Sequence, residues 1–302
     1  MNQQRSFINM PRRIIICGIY RSGTSLITKL TREWGAYAGK AEDLFEDEYG
    51  YLEHLALQKL NDELLGSNSR VPTPVQTLLE KAQDPALQQR AQQILAEMDA
   101  EAQSNNGIAW TWKDPRLPLA IPFWADLWKD AIYIIPVRHP VETILSAAKM
   151  EGLEGDQVPL SAGFAYWQFC MLNVLNFTQS NPRKIFISYD QLIQNPQLEC
   201  ERLCTFLDGQ CEMDASTKEQ RVQAMTSQIT AGQRHYQSPA SLADLETASA
   251  EQRALYNFLR VKTTYPNETF NPSDFALHPS WMEYLQTMDM LVASMQNMQR
   301  GE

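Results

Sequence analysis

A short apolar run followed by a glycine-bearing loop constrains the fold of this chain more than any other segment. Residues 14–20 form a continuous apolar run, which is typical of a fully buried strand, and helical periodicity begins at residue 25. Between them, residues 18–25 read Gly-Ile-Tyr-Arg-Ser-Gly-Thr-Ser. The glycines permit a tight turn, and successive amides at a helix N-terminus form a cradle for an anion. The segment therefore predicts a strand, an anion-binding loop and a helix in immediate succession.

The loop has the spacing of the phosphate-binding P-loop, G-x-x-x-x-G-K-[ST], with one departure. Thr24 stands where the P-loop has its lysine, which serves the β- and γ-phosphates of a nucleoside triphosphate. A magnesium-binding carboxylate usually ends a neighbouring strand, but the strand predicted over residues 132–137 ends in Arg138. The loop therefore suits a single terminal phosphate better than a triphosphate, and we expect no metal. The residues expected to bind this phosphate are Ser22, Gly23, Thr24 and Ser25.

The rest of the chain alternates predicted strands and helices. Further strands are predicted over residues 108–112, 131–137 and 184–189, and helices over residues 52–65, 75–103 and 280–299. This alternation predicts an α/β fold with a P-loop-like central parallel sheet, helices on its faces and a helical C-terminal part. Because we see no internal repeat and no linker, we expect one domain over residues 1–302. Its core would cover about residues 12–210, and a helical extension about residues 211–302.

The acidic composition narrows the choice of partners. The chain has 26 Lys and Arg against 36 Asp and Glu, a net charge of −10, so nucleic acid and anionic membranes are not expected partners. The N-terminal residues lack the apolar core of a signal sequence, and no stretch approaches the roughly 18 apolar residues of a membrane span. Five cysteines at irregular positions indicate packing thiols. We expect a reduced, cytoplasmic protein that holds any anion in a local basic pocket.

A second candidate anion site follows the strand predicted over residues 131–137. Arg138 is placed at the strand end, where a guanidinium can bind a phosphate through two parallel hydrogen bonds. Pro140 suits the first turn of a helix, which puts Ser146 near the end of the second turn. The serine hydroxyl could then reach the same phosphate as Arg138, and we expect His139 to brace Arg138.

Together the two anion sites resemble the signature motifs of the sulfotransferases that depend on PAPS, 3′-phosphoadenosine 5′-phosphosulfate. The resemblance is carried by Tyr-Arg-Ser-Gly-Thr-Ser at residues 20–25 and Val-Arg-His-Pro-Val-Glu-Thr-Ile-Leu-Ser at residues 137–146. Three further segments are similar to bacterial members of the family: Gly-Tyr-Leu-Glu-His at residues 50–54, Trp-Lys-Asp-Pro-Arg-Leu at residues 112–117 and Ile-Ser-Tyr-Asp-Gln-Leu at residues 187–192. The resemblance covers about residues 12–210.

The resemblance implies PAPS as donor and 3′,5′-ADP as product. In that family the first loop holds the 5′-phosphosulfate, and the positions of Arg138 and Ser146 hold the 3′-phosphate. Arg21 matches the loop position at which family members carry a lysine or arginine against the bridging oxygen of the donor. Lys113 is the next candidate for stabilising the leaving group. Two further residues match family positions around the nucleotide: Tyr189 near the adenine and, weakly, Arg234 near the 3′-phosphate.

The acceptor, expected to be a hydroxyl or amine of a small metabolite or natural product, needs a general base. Glu53 is the first candidate, because bacterial family members have an acid at this position of the segment similar to residues 50–54, and because the preceding loop should face the pocket. His54 has a suitable intrinsic pKa, and Asp114 is a weaker candidate. Six acidic residues lie within residues 42–53, which is usual for a solvated face. If they border the acceptor cleft instead, they favour a neutral or cationic acceptor.

Two other functions remain compatible with these residues. A small-molecule kinase using ATP is disfavoured by Thr24 and by the absence of an acid after residues 132–137. A non-catalytic module that senses 3′,5′-ADP would need neither Arg21 beside the cradle nor an acid at Glu53.

Overall fold

The computed structural model of the protein describes residues 10–45, 52–66, 72–153, 158, 160–230, 247–264 and 275. Its strands are β1 (Arg12–Ile16), β2 (Leu44–Phe45), β3 (Glu53–His54), β4 (Ala109–Lys113), β5 (Ile132–Val137) and β6 (Lys184–Ser188). Its helices are α1 (Thr24–Trp34), α2 (Leu55–Leu65), α3 (Val75–Lys81), α4 (Pro85–Ser104), α5 (Leu117–Trp124), α6 (Pro140–Met150), α7 (Leu160–Thr178), α8 (Tyr189–Gln194), α9 (Pro196–Cys211), α10 (Lys218–Ser227) and α11 (Ala250–Thr264).

Four parallel strands form the central sheet in the order β4-β1-β5-β6. In this register Ile16 pairs with Lys113 on one side and with Ile134 on the other, so the carboxyl ends of the strands lie along one edge. Crossovers between parallel strands carry helices, and helices cover both faces. The predicted α/β class, with a central parallel sheet flanked by helices, is confirmed.

The core lies on both faces of the sheet because side chains alternate along each strand. Ile14 and Ile16 are fully buried in one cluster with α1, α9 and α10. Ile15 is fully buried in a second cluster with α2, α4, α5, α7 and α11. The helix α11, from the C-terminal third, is therefore part of the packing that covers the sheet.

Several predicted boundaries differ from the structure. The first strand ends at Ile16 rather than at residue 20, because the chain turns there into the glycine loop. The helix predicted over residues 52–65 begins at Leu55, since the two preceding residues pair with β2 as β3. The helix predicted over residues 75–103 is two helices. Asp84 caps the second by accepting hydrogen bonds from the amides of Ala86 and Leu87, and Pro85 occupies its first position.

The cysteines pack as apolar side chains, as predicted. Cys17, Cys170, Cys200 and Cys204 are buried free thiols, and all four belong to the two hydrophobic clusters. In the described residues no three His, Cys, Asp or Glu side chains are grouped as a metal site. None of the described helices combines the length and apolarity that a membrane crossing requires. The helix predicted over residues 280–299 lies outside the described residues, and the assignment of one domain to residues 1–302 stays a prediction.

A buried carboxylate joins α4 to the sheet. Asp99 Oδ2 accepts a hydrogen bond from Arg13 Nη2 at 2.6 Å, and Asp99 Oδ1 accepts one from Trp110 Nε1 at 2.7 Å. Asp99 is only 3% exposed, so the charge is removed from water and compensated by these two donors. The helix α4 is thereby attached to β1 and β4 at once.

We predict that Asp99→Asn lowers the free energy of unfolding by about 2–4 kcal/mol, because it leaves the Arg13 guanidinium without its counter-charge and turns an amide towards buried donors. Urea denaturation measures the change. Asp126→Asn is the matched control, since Asp126 and its partner Lys129 are both exposed and surface pairs contribute little. Equal losses in the two variants would contradict the role assigned to Asp99.

Candidate active site

The loop after β1 packs so closely against its neighbours that two of its positions require glycine. Gly23 has φ +97°, and a Cβ there would lie 2.5 Å from Cδ2 of Tyr189. A Cβ on Gly18 would overlap the Pro136 side chain. The Ser22 hydroxyl donates to the carbonyl oxygen of Ile19 at 2.7 Å, so it stabilises the turn from within. The backbone of the loop therefore lies closer to Tyr189 and Pro136 than a residue with a Cβ would allow.

Of the residues predicted to bind the nucleotide, four contact one another at this edge. Arg21 Nε donates to Ser146 Oγ at 3.0 Å, and Arg138 Nη1 donates to the carbonyl oxygen of Arg21 at 2.7 Å. The Arg138 guanidinium lies 4.6 Å from the centre of the Tyr189 ring, a cation–π distance. Tyr189 also lies against the loop. Arg21 and Ser146, which are 125 positions apart in the chain, thus meet in one cluster, whereas Arg234 lies outside the described residues.

Glu142 is a member of this cluster that the sequence analysis missed. Its Oε2 lies 3.3 Å from Arg138 Nε, and both side chains are at least nine-tenths buried. The i,i+4 spacing of Arg138 and Glu142 across the start of α6 was the available signal. A buried carboxylate at this position stabilises the Arg138 guanidinium and limits the directions it can take.

His139, expected to brace Arg138, has its ring 5.1 Å from that of Tyr256 on α11.

A buried ion pair lies at the carboxyl end of β4. Lys113 Nζ is 2.6 Å from Glu53 Oε1, and the two side chains are 1% and 8% exposed. Gln58 Nε2 donates to the other carboxylate oxygen at 3.0 Å. Burial raises the pKa of Glu53 above its ordinary value, and the Lys113 ammonium opposes part of that rise. The pair brings together two sequence-predicted residues, one cation and one carboxylate that can accept a proton.

The other two candidate bases have different surroundings. His54 follows Glu53 on β3, so its side chain lies on the opposite face of the strand. Burial lowers the pKa of His54, and its Nδ1 has no hydrogen-bond partner among the described residues. Asp114 is fully buried and accepts four hydrogen bonds, three from Arg116 and one from Asn61. Its oxygens are therefore occupied, and of the three candidates Glu53 alone contacts Lys113.

The model of the sulfotransferase family matches residues 11–214, which include all of the described candidate residues. The chain therefore belongs to the sulfotransferase family, a family of transferases. No curated protein sequence is significantly similar to it.

Several solved structures are similar to this chain. The sulfotransferase domain of the Synechococcus PCC 7002 olefin synthase shares 18% identity over 92% of this chain and 94% of that chain, with a TM-score of 0.45. The sulfotransferase domain from the curacin biosynthetic pathway shares 18% identity over 93% and 98%, with a TM-score of 0.39. A sulfotransferase from Mycobacterium tuberculosis shares 15% identity over 85% and 78%, with a TM-score of 0.40.

We predict that Lys113→Met raises the pKa of Glu53 above its wild-type value, because the ammonium is the main group that opposes the effect of burial. A pH titration of the Glu53 carboxyl carbon signal by NMR measures the midpoint. Lys129→Met is the control, since this lysine is exposed and pairs only with Asp126 in the described residues. An unchanged midpoint in Lys113→Met would contradict the ion pair.

Proposed function

We propose that this sulfotransferase takes PAPS as donor and transfers its sulfuryl group to a hydroxyl or amine of a small molecule. The observation that supports this most is the contact of Arg21, Arg138, Ser146 and Tyr189 around one backbone loop. Two guanidiniums, a hydroxyl and an aromatic ring are the groups that an adenine nucleotide with separate phosphates requires. The Lys113–Glu53 pair at the same sheet edge adds a cation and a base.

The residues fit the donor on physical grounds. Gly23 lets the loop lie against Tyr189 where any Cβ would collide, so backbone amides and the N-terminus of α1 can face an anion. The chain carries a net charge of −10, so the anion must be attracted by these local cations. PAPS, when bound, supplies an activated sulfuryl group and departs as 3′,5′-ADP.

In the proposed reaction the cations act through their charge. Arg138 and Ser146 bind the 3′-phosphate, while Arg21 and Lys113 stabilise the negative charge that develops on the leaving nucleotide. An arginine stays protonated at neutral pH, so Arg21 contributes no proton. Glu142 and the Arg21 carbonyl oxygen hold Arg138 in place before the nucleotide arrives.

Glu53 is the proposed general base. Its carboxylate accepts the proton of the acceptor hydroxyl or amine, and its raised pKa makes it a stronger base than an exposed glutamate. Lys113 and Gln58 each contact one of its oxygens, which fixes the plane of the carboxylate. A carboxylate oriented in this way can receive the proton without first losing bulk water.

The acidic segment leads us to propose a neutral or cationic acceptor. Glu42 is exposed and Asp43 is half-buried. Both lie just before β2, which pairs with β3, the strand that bears Glu53. Carboxylates near the acceptor would repel polyanions and attract amines. The remaining acids of this segment, Glu46, Asp47 and Glu48, lie outside the described residues.

We predict that 3′,5′-ADP raises the melting temperature of the wild type, because a saturating ligand stabilises the folded state by a few kcal/mol. Mg·ATP should have a much smaller effect. Arg138→Ala should abolish most of the shift produced by 3′,5′-ADP. Differential scanning fluorimetry gives these shifts, and transfer of a radiolabelled sulfuryl group from PAPS gives the activity.

Arg183→Ala is the control for this experiment, because Arg183 pairs with Asp130 at the opposite edge of the sheet. It should keep the full shift. A preference of the wild type for Mg·ATP would overturn the donor assignment in favour of the kinase. Tight binding of 3′,5′-ADP with no transfer to any acceptor would favour the sensing module.

We predict that Glu53→Gln lowers transfer to every acceptor by at least about 100-fold while 3′,5′-ADP still binds, because the amide cannot take up a proton. In the wild type, kcat should fall as pH drops through the raised pKa of Glu53, since only the ionised carboxylate acts. The assay uses cationic, neutral and anionic alcohols and amines. Retained activity in Glu53→Gln would contradict the assigned base, and preference for anionic acceptors would contradict the proposed acceptor charge.

A further inference from the structure

A buried hydrogen-bond network ties the carboxyl end of β4 to the helix α2. Asn61 on α2 donates from Nδ2 to Asp114 Oδ2 at 2.9 Å, and its Oδ1 accepts a hydrogen bond from Trp124 Nε1 at 2.8 Å. All three residues are completely buried. These groups lie 53 and 63 positions apart in the chain, so the contacts join separate elements rather than neighbours.

Arg116 strengthens the same connection. Its backbone amide, Nε and Nη2 all donate to the Asp114 carboxylate at 2.8 to 2.9 Å. Its Nη1 pairs with Asp62, the residue after Asn61 on α2. The turn between β4 and α5 is therefore attached to α2 twice, through two successive residues of the helix.

The chemistry of the partners gives the Asn61 amide a single orientation. An indole N–H can only donate, and an ionised carboxylate can only accept. Turning the amide over would place its NH₂ against the Trp124 donor and its oxygen against Asp114. A buried network whose donors and acceptors are all matched is rigid, because each rearrangement leaves a polar group unsatisfied.

The network lies directly beside the Lys113–Glu53 pair. Lys113 is the last residue of β4 and is followed by Asp114, and Glu53 belongs to β3, which runs straight into α2. The distance between the two reacting groups therefore depends on how α2 is set against the end of β4. Besides the buried leucines of α2, Asn61 and its partners supply buried polar contacts that help to fix this placement.

We propose that Asn61 is a positioning residue for sulfuryl transfer, which holds Asp114 and Trp124 so that the Lys113 ammonium stays against the Glu53 carboxylate. The proposal rests on the proposed function, in which Lys113 and Glu53 are the acting groups. Asn61 itself touches neither of them in the described contacts, so it acts through the network.

The structure offers a matched pair of substitutions to test this role. Trp124→Phe removes the indole N–H that donates a hydrogen bond to Asn61 Oδ1, and it leaves an aromatic ring in the core. Trp128 stacks on Trp124 with ring centres 4.6 Å apart and is equally buried, but its Nε1 has no hydrogen-bond partner among the described residues. Trp128→Phe therefore makes the same change in the same aromatic cluster without removing a hydrogen bond of the network.

The first measurement needs neither donor nor acceptor: the titration midpoint of the Glu53 carboxyl carbon signal in the free protein. The charged groups that act on Glu53 are Lys113, Asp114 and Arg116. Loosening the Lys113 contact in Trp124→Phe should raise the midpoint, whereas Trp128→Phe should keep the wild-type value. Asn61→Ala should give the larger rise, and it serves as the second variant if Trp124→Phe does not fold.

The second measurement separates binding from transfer. For the acceptor that the wild type uses fastest, kcat should fall about 10-fold in Trp124→Phe and about 100-fold in Asn61→Ala. The Kd of 3′,5′-ADP, measured by calorimetry, should stay within about twofold of the wild type, because Arg138 and Ser146 are untouched.

Equal midpoints and equal kcat in Trp124→Phe and Trp128→Phe would overturn the positioning role, as would a wild-type midpoint in Asn61→Ala. Failure of the proposed function looks different: the wild type itself would not transfer the sulfuryl group from PAPS. In that case the titration alone still decides whether Asn61 controls the Lys113–Glu53 contact.

Discussion

Three cations of the candidate site are each held beside a carboxylate because they are buried. Lys113 with Glu53, Arg138 with Glu142 and Arg116 with Asp114 all lie almost out of contact with water. An isolated charge in such surroundings costs several kcal/mol, so each guanidinium or ammonium is stable only beside its carboxylate. This requirement, together with the hydrophobic packing of the helices, constrains how β3, α2 and α6 are placed around the carboxyl edge of the sheet.

The pairing also explains how an acidic protein would present the proposed site for an anion. The chain as a whole has a net charge of −10, so it does not attract anions from a distance. The cations that face the loop are supplied by the ends of neighbouring parallel strands and by the loop itself. Carboxylate partners hold Lys113 and Arg138 in position at short range.

Local rules account for the parts of the candidate site that the sequence predicts to lie together. Glycine spacing in the loop and the position of Arg138 after a strand are set within a few residues, and parallel strands then bring both to one edge. Glu142 and Asn61 were missed for different reasons. Glu142 lies at i,i+4 from Arg138 and could have been found, but Asn61 reads in the sequence as an ordinary polar residue of an amphipathic helix.

The sequence by itself determined the strand–loop–helix unit, the α/β class and the set of cations, because each depends on short-range periodicity or on the residues next to it. Which carboxylate meets Lys113 was decided only by the tertiary structure. Glu53 and Lys113 are 60 positions apart, and the adjacent residues His54 and Asp114 offered similar chemistry. The alternation of side chains on β3 and the four hydrogen bonds to Asp114 made the choice, and both follow from how the elements pack.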